Sequence, residues 1–138
     1  MMCGMFEYHG WIALRRTAAY DDPPPEVERG LENEMLGRVR HELAALALGT
    51  GEARLTTSNG SHFVSIHGLN NHRNPAVVPF FERAGEIAPG SYGVLYTQDG
   101  ENDEDWRRRT MVRGRLLPSE RVDAFSPVIG ALEDPAPE

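Results

Sequence analysis

Five acidic residues crowd one seven-residue stretch: Asp99, Glu101, Asp103, Glu104 and Asp105. Carboxylates at that density repel one another and attract cations, so the chemistry on offer is binding to a positively charged surface. Five arginines follow at once, at positions 107, 108, 109, 113 and 115. Two readings of the acidic stretch stand side by side. It is either a solvated hairpin turn balanced by the neighbouring arginines, or a set of carboxylates presented to a basic partner. Screening limits the field to about 8 Å at physiological salt, so any steering acts close to contact.

A second polar cluster is Gly68-Leu69-Asn70-Asn71-His72-Arg73-Asn74-Pro75. Its asparagines suit a loop that caps the following helix and satisfies its own backbone. The alternative is a contact surface built from Asn70, Asn71, His72 and Arg73. His67, His72 and Arg73 also outline a small enzyme site, the reading that competes with a binding function.

The remaining reactive residue types argue for little chemistry. None of the five histidines forms a His-x-x-x-His pair on a helix. His62 and His67 are five apart on a strand and so point to opposite faces. No acid lies between His67 and His72 to complete a metal site. A single cysteine, Cys3, excludes a disulfide framework within the chain and a cysteine-rich zinc site. Gly90-Ser91-Tyr92-Gly93 begins a strand rather than joining a strand to a helix, so it is not a nucleophile elbow. Nothing matches the phosphate-loop pattern G-x-x-x-x-G-K. No catalytic residue, metal or cofactor is expected.

These residues need elements to position them. Residues 5–15 alternate, with Phe6, Tyr8, Ile12 and Leu14 on one face and Glu7, His9, Trp11 and Arg15 on the other, which predicts a strand. After the breaker Tyr20-Asp21-Asp22-Pro23-Pro24-Pro25, the spacing of Val27, Leu31, Met35, Val39, Leu43 and Leu46 predicts a helix over 26–48. Gly30 and Gly37 share one side of it, where close packing against another backbone would offset their low helix propensity.

Residues 52–57 and 61–67 alternate around Ser58-Asn59-Gly60, a hairpin signal because Asn and Gly both tolerate positive φ. Residues 76–88 read as a second helix with Val77, Phe80, Phe81, Ala84 and Ile87 buried, and Pro79 harmless in its first turn. Residues 91–98 make a strand with Tyr92, Val94 and Tyr96 on one face. Residues 106–117 make another, with Trp106, Thr110, Val112 and Leu116 inside and Arg107, Arg109, Arg113 and Arg115 forming a wet ladder.

The order β-α-β-β-α-β-β gives an α+β fold: an antiparallel sheet of about five strands with two helices on one face, a ferredoxin-like variant. One domain over 1–118 is expected, with a Pro-containing extension over 119–138 that is partly disordered toward its end.

The 138 residues carry a net charge of −7, from 14 arginines, no lysine and 21 acids. Residues 1–50 sum to −3, residues 51–98 to zero, and the last 22 residues to −4. The acid therefore sits in two segments flanking one basic strand. This balance argues against general nucleic-acid binding, which needs a basic surface to displace counterions. No apolar run reaches the ~18 residues of a membrane helix. The start, Met1-Met2-Cys3-Gly4, lacks the basic and apolar regions of a signal peptide, so a cytoplasmic protein is expected. Arginine in place of every lysine fits a GC-rich coding bias.

Several segments together resemble the immunity protein 7 family. They are Phe6-Glu7-Tyr8-His9-Gly10-Trp11-Ile12, Gly68-Leu69-Asn70-Asn71-His72-Arg73 and Gly90-Ser91-Tyr92-Gly93-Val94-Leu95-Tyr96. Gly114, Ser126-Pro127-Val128-Ile129 and Leu132-Glu133-Asp134 are similar to its closing pattern, with Val128 where a cysteine is expected. The resemblance implies an α+β immunity protein that binds a cognate bacterial polymorphic toxin and blocks its active site or an essential surface. It implies no catalytic residues. A basic nuclease is one toxin class that the acidic loop would suit, its five carboxylates standing in for phosphates. Glu26, Glu28, Glu32 and Glu34 form a second acidic patch. Small-ligand binding in a regulatory domain is the other alternative to the immunity role.

Overall fold

The computed structural model describes residues 5–123. Cys3 and the closing segment from Ser126 to Asp134 lie outside the described residues. The chain runs β1 (Phe6–Leu14), α1 (Pro25–Ala45), β2 (Glu52–Ser58), β3 (Ser61–Asn70), α2 (Val77–Ile87), β4 (Tyr92–Asp99), β5 (Asp103–Val112), β6 (Arg115–Leu116) and β7 (Glu120–Val122).

The strands form one open antiparallel sheet in the order β2-β3-β1-β4-β5-β6, with β7 also paired to β5. The described chain thus has seven strands where about five were expected. The two extra ones, of two and three residues, share the outer edge of β5 and are too short to carry an alternating pattern. The second of them falls in the stretch expected as a C-terminal extension.

Alternation along β1 decides what the sheet covers. Phe6, Tyr8, Ile12 and Leu14 join Val64 and Ile66 of β3, Leu95 of β4 and Met111 of β5 in one core. Met35, Leu36 and Val39 of α1 and Val77, Phe80, Phe81, Ala84 and Ile87 of α2 close it. Both helices lie on this same side. The Phe81 ring sits over Gly10, where an added Cβ would come within 2.5 Å of its Cζ. His62, also pointing to the helix side, reaches Glu32 of α1 at 2.7 Å. His67 points the other way, as the five-residue spacing required.

Local signals explain most element boundaries. Asn59 (φ 53°) and Gly60 (φ 79°) make the two-residue turn between β2 and β3. Pro25 opens α1 where its missing N–H is harmless. Arg16 bridges Asp21 and Glu28 at 2.7 and 2.8 Å, tying the proline-rich approach to the first helical turn. In the Gly90–Gly93 segment, the buried Ser91 Oγ accepts from Arg15 N at 3.0 Å, and Gly93 lies against the Trp11 carbonyl. That segment is therefore packing between β1 and β4.

Three expectations are corrected. The apolar stripe of α1 is buried only from Met35 onward; Val27 is 50% and Leu31 37% exposed. In the first two turns it is Glu28 and Glu32 that meet the rest of the chain, through Arg16 and His62. Gly30 and Gly37 do not meet another backbone, since nothing lies within 4 Å of a Cβ added at either. The inside face of β5 is reversed. Met111 is the core residue, opposite Gly93, so Arg107 and Arg109 lie on the helix side. Trp106 is buried on the helix-free side, and Val112 is 37% exposed. The arginine ladder stops at Arg113 (φ 49°) and Gly114 (φ 75°), where the chain turns into β6.

Candidate functional site

The acidic stretch is a hairpin rather than a free loop. Asp99 ends β4, Asp103 pairs with it at the start of β5, and Gly100 to Asn102 make the turn. Asp99 holds that turn: its carboxylate accepts from Glu101 N at 3.2 Å and from Asn102 Nδ2 at 2.7 Å. Glu101 is exposed at the tip, its Oε1 2.7 Å from Nδ1 of His72. Asp105 meets Arg121 of β7 at 2.8 Å. Asp103 and Glu104 follow the turn in the backbone, and their side chains lie outside the described residues.

The hairpin and the second polar cluster are thus neighbours, joined through His72 and Glu101. Within that cluster the asparagines divide. Gly68, Leu69 and Asn70 belong to β3, so the loop starts later than the sequence suggested. Asn70 Nδ2 donates to Leu48 O at 3.2 Å and Asn74 Nδ2 to Ala47 O at 3.0 Å, anchoring the loop to the segment just after α1. Asn74 Oδ1 accepts from Ala76 N at 2.9 Å, just ahead of α2. Asn71, His72 and Arg73 are exposed.

The proposed enzyme trio is dispersed. His67 stands on the helix-free sheet face beside Glu52, while His72 faces the hairpin. Arg73 lines a separate cleft beside α2. Among the described residues, no three His, Cys, Asp or Glu side chains gather as a metal-binding group.

The helix-free face holds residues that sequence reasoning did not single out. His9 stacks on His67 with ring centroids 6.4 Å apart and planes within 10°. His9 Nε2 also lies 2.6 Å from Glu7 Oε2, whose carboxylate is buried, and its ring is 6.1 Å from Trp106. Trp11, in the middle of the sheet, is 55% exposed, and Tyr92 is 43% exposed. His9, Trp11, His67, Val94 and Tyr96 line a shallow depression there of about 340 Å³. Arg108, on the same face, bonds Glu120 at 2.7 Å. Its hydrogen bonds to Glu120 and then to Tyr96 raise its pKa further above the ordinary arginine value.

The signal for this face was the period-2 alternation of β1 and β4, which sorted Trp11 with His9 and Tyr92 with Tyr96. Alternation alone does not say which face the helices leave bare. A bare face with a large exposed aromatic at its centre has the composition of a protein-binding surface.

Two of the four carboxylates of the second acidic patch are committed within the chain. Glu28 pairs with Arg16 and Glu32 with His62. No helix among the described residues is long and apolar enough to cross a membrane. Among known protein families, a family model described as immunity protein 7 matches residues 5–134. No curated protein and no solved structure matches the chain.

Proposed function

The chain belongs to the immunity protein 7 family, and from that premise we propose that it neutralises its cognate toxin by direct contact through the acidic hairpin and the adjoining helix-free sheet face. The observation that carries this reading is Trp11, 55% exposed on the central strand β1. An aromatic side chain left in water at the middle of a rigid sheet is what a binding hot spot looks like before its partner arrives.

The hairpin adds direction to that contact. Phe6 pairs with Asp99 at the hairpin end of β1, and Trp11 lies five residues along the same strand. Carboxylates at one end of the face steer a basic partner, and the aromatic residues beyond then bury area. A nuclease whose substrate groove is basic is the toxin class that complements this charge. Asn71, His72 and Arg73 extend the footprint beside the hairpin. The order β2-β3-β1-β4, with helices after β1 and β3, supports the ferredoxin-like reading of the frame. The cytoplasm is the compartment we assign to this encounter.

The test uses the toxin encoded beside this gene and measures affinity and association rate across a salt series. Trp11→Ala should weaken binding by about 2 kcal/mol, roughly 30-fold, mainly through faster dissociation. Glu101→Lys combined with Glu104→Lys should slow association and flatten or reverse its salt dependence. Unchanged affinity in Trp11→Ala, together with unchanged salt dependence in the charge reversal, would sink the proposal.

A further inference from the structure

Three side chains from three elements stand in a row at the β2 edge of the sheet. Thr57 Oγ1 lies 2.7 Å from Nδ1 of His62, and His62 Nε2 lies 2.7 Å from Glu32 Oε1. A carboxylate only accepts, so Nε2 carries the imidazole proton, and in the neutral ring Nδ1 is left to accept from the Thr57 hydroxyl. Thr57 is exposed, while the His62 and Glu32 side chains keep 18% and 35% of their surface. The order is hydroxyl, imidazole, carboxylate. In such a row an imidazole held by an acid takes the proton of an attacking oxygen.

The backbone leaves room for a reactant beside that hydroxyl. β2 is the first strand of the sheet and, among the described residues, pairs with β3 alone. Ser58 and Ser61 flank the two-residue turn as a hydrogen-bonded pair, so the next pair, Thr57 and His62, is of the non-bonded kind, with side chains close together. Thr57 N–H and C=O therefore point away from β3, over the open edge. An N–H there can donate to the oxygen of a carbonyl under attack by the Thr57 hydroxyl. None of the three residues belongs to the proposed toxin contact: Thr57 and His62 face the helix side, and Glu32 is on α1.

We propose that Thr57 is an activated acyl acceptor, which takes the acyl group of an activated carboxylic ester. Thr57 Oγ1 forms the new bond to the acyl carbon as its proton passes to His62 Nδ1. The bond from that carbon to the leaving oxygen breaks, and the leaving group departs with the electron pair. Glu32 holds the imidazole and balances its charge while it carries two protons. The proton then goes from His62 to the leaving oxygen, so the products are an ester on Thr57 and a free alcohol or phenol.

The experiment incubates the full chain, without toxin, with p-nitrophenyl acetate and maps acetyl groups by peptide mass spectrometry over time. The chain has no lysine, so no side-chain amine competes for the reagent. Acetylation is expected at Thr57 and not at Thr56, its exposed neighbour, which faces the other side of the sheet opposite Phe63. That ratio is read in the parent protein, so it does not depend on any variant folding. Thr57→Val should remove the adduct and Thr57→Ser should keep it. His62→Gln should slow acetylation of Thr57 by about 100-fold, the lower range for a positioned base. Glu32→Gln should slow it roughly tenfold, the loss of a charge-assisted hydrogen bond. No adduct on Thr57, acetyl spread equally over Thr56 and Thr57, or an unchanged rate in both His62→Gln and Glu32→Gln would each overturn the assignment.

Discussion

Tyr8→Phe should make this protein more stable, although it removes a polar group from the core. Tyr8 is fully buried, and among the described residues its hydroxyl has no hydrogen-bond partner. The oxygen is pressed between Gly51 and Gly68, two positions where any side chain would collide with it. An unsatisfied buried hydroxyl costs about 1–3 kcal/mol of lost hydration. Deleting one oxygen opens a void on the order of 10 Å³, which at about 24 cal/mol per Å³ costs only about 0.2 kcal/mol. The expected gain is therefore about 1–2 kcal/mol, or roughly 4–8 °C in Tm for a domain of this size. Urea unfolding should show a raised midpoint at unchanged slope.

The pH dependence gives a second readout of the same hydroxyl. Burial raises the Tyr8 pKa above its ordinary value of 10.0. The folded protein then keeps a proton that the unfolded chain releases, so stability holds below pH 10 and falls as pH climbs from there toward the folded-state value. Tyr8→Phe should remove that part of the alkaline decline. A variant less stable than the parent by about 1 kcal/mol or more would show that the hydroxyl is bonded, and would refute the reasoning.

The glycines of the two helices should respond with opposite signs to one substitution. Gly30→Ala and Gly37→Ala face open space on α1 and should each raise stability by about 0.5–1 kcal/mol in urea unfolding; a loss at either site would mean that its helix face is covered. Gly85→Ala on α2 would drive a Cβ into the Gly114 carbonyl and should lower stability by about 1–3 kcal/mol. Equal effects at Gly30 and Gly85 would contradict the contact described between α2 and the turn before β6.

The parts of the fold legible in the sequence are those fixed by near neighbours. The Asn59-Gly60 turn follows from backbone conformation alone, and the buried face of α2 from the spacing of Val77, Phe80, Phe81, Ala84 and Ile87. The alternation of β1 likewise sorted Tyr8 and Ile12 from His9 and Trp11 correctly. What escaped depends on distant pairing. Trp106 and Met111 are both apolar and five apart on β5, so they point to opposite faces, and only the register with Gly93 makes Met111 the core residue. Val27 and Leu31 fit the helical stripe, but α1 extends past the surface that could bury them.

The candidate site divides the same way. The charge of residues 99–105 could be read directly, whereas Asn70 and Asn74 serve carbonyls just after α1, more than twenty residues away in the chain. The proximity of His72 to Glu101 spans 29 residues and has no local signal.

The bare side of the sheet has an evolutionary consequence. The core takes Phe6, Tyr8, Ile12 and Leu14 from β1, Val64 and Ile66 from β3 and Leu95 from β4, while residues on the other face, such as Trp11, Ser65 and Tyr96, lie outside that cluster. Those letters can be rewritten one at a time while the frame keeps its shape. If the proposed contact is right, a lineage whose toxin changes its surface can follow by altering only that displayed alphabet, and two descendants can share a fold yet recognise nothing in common.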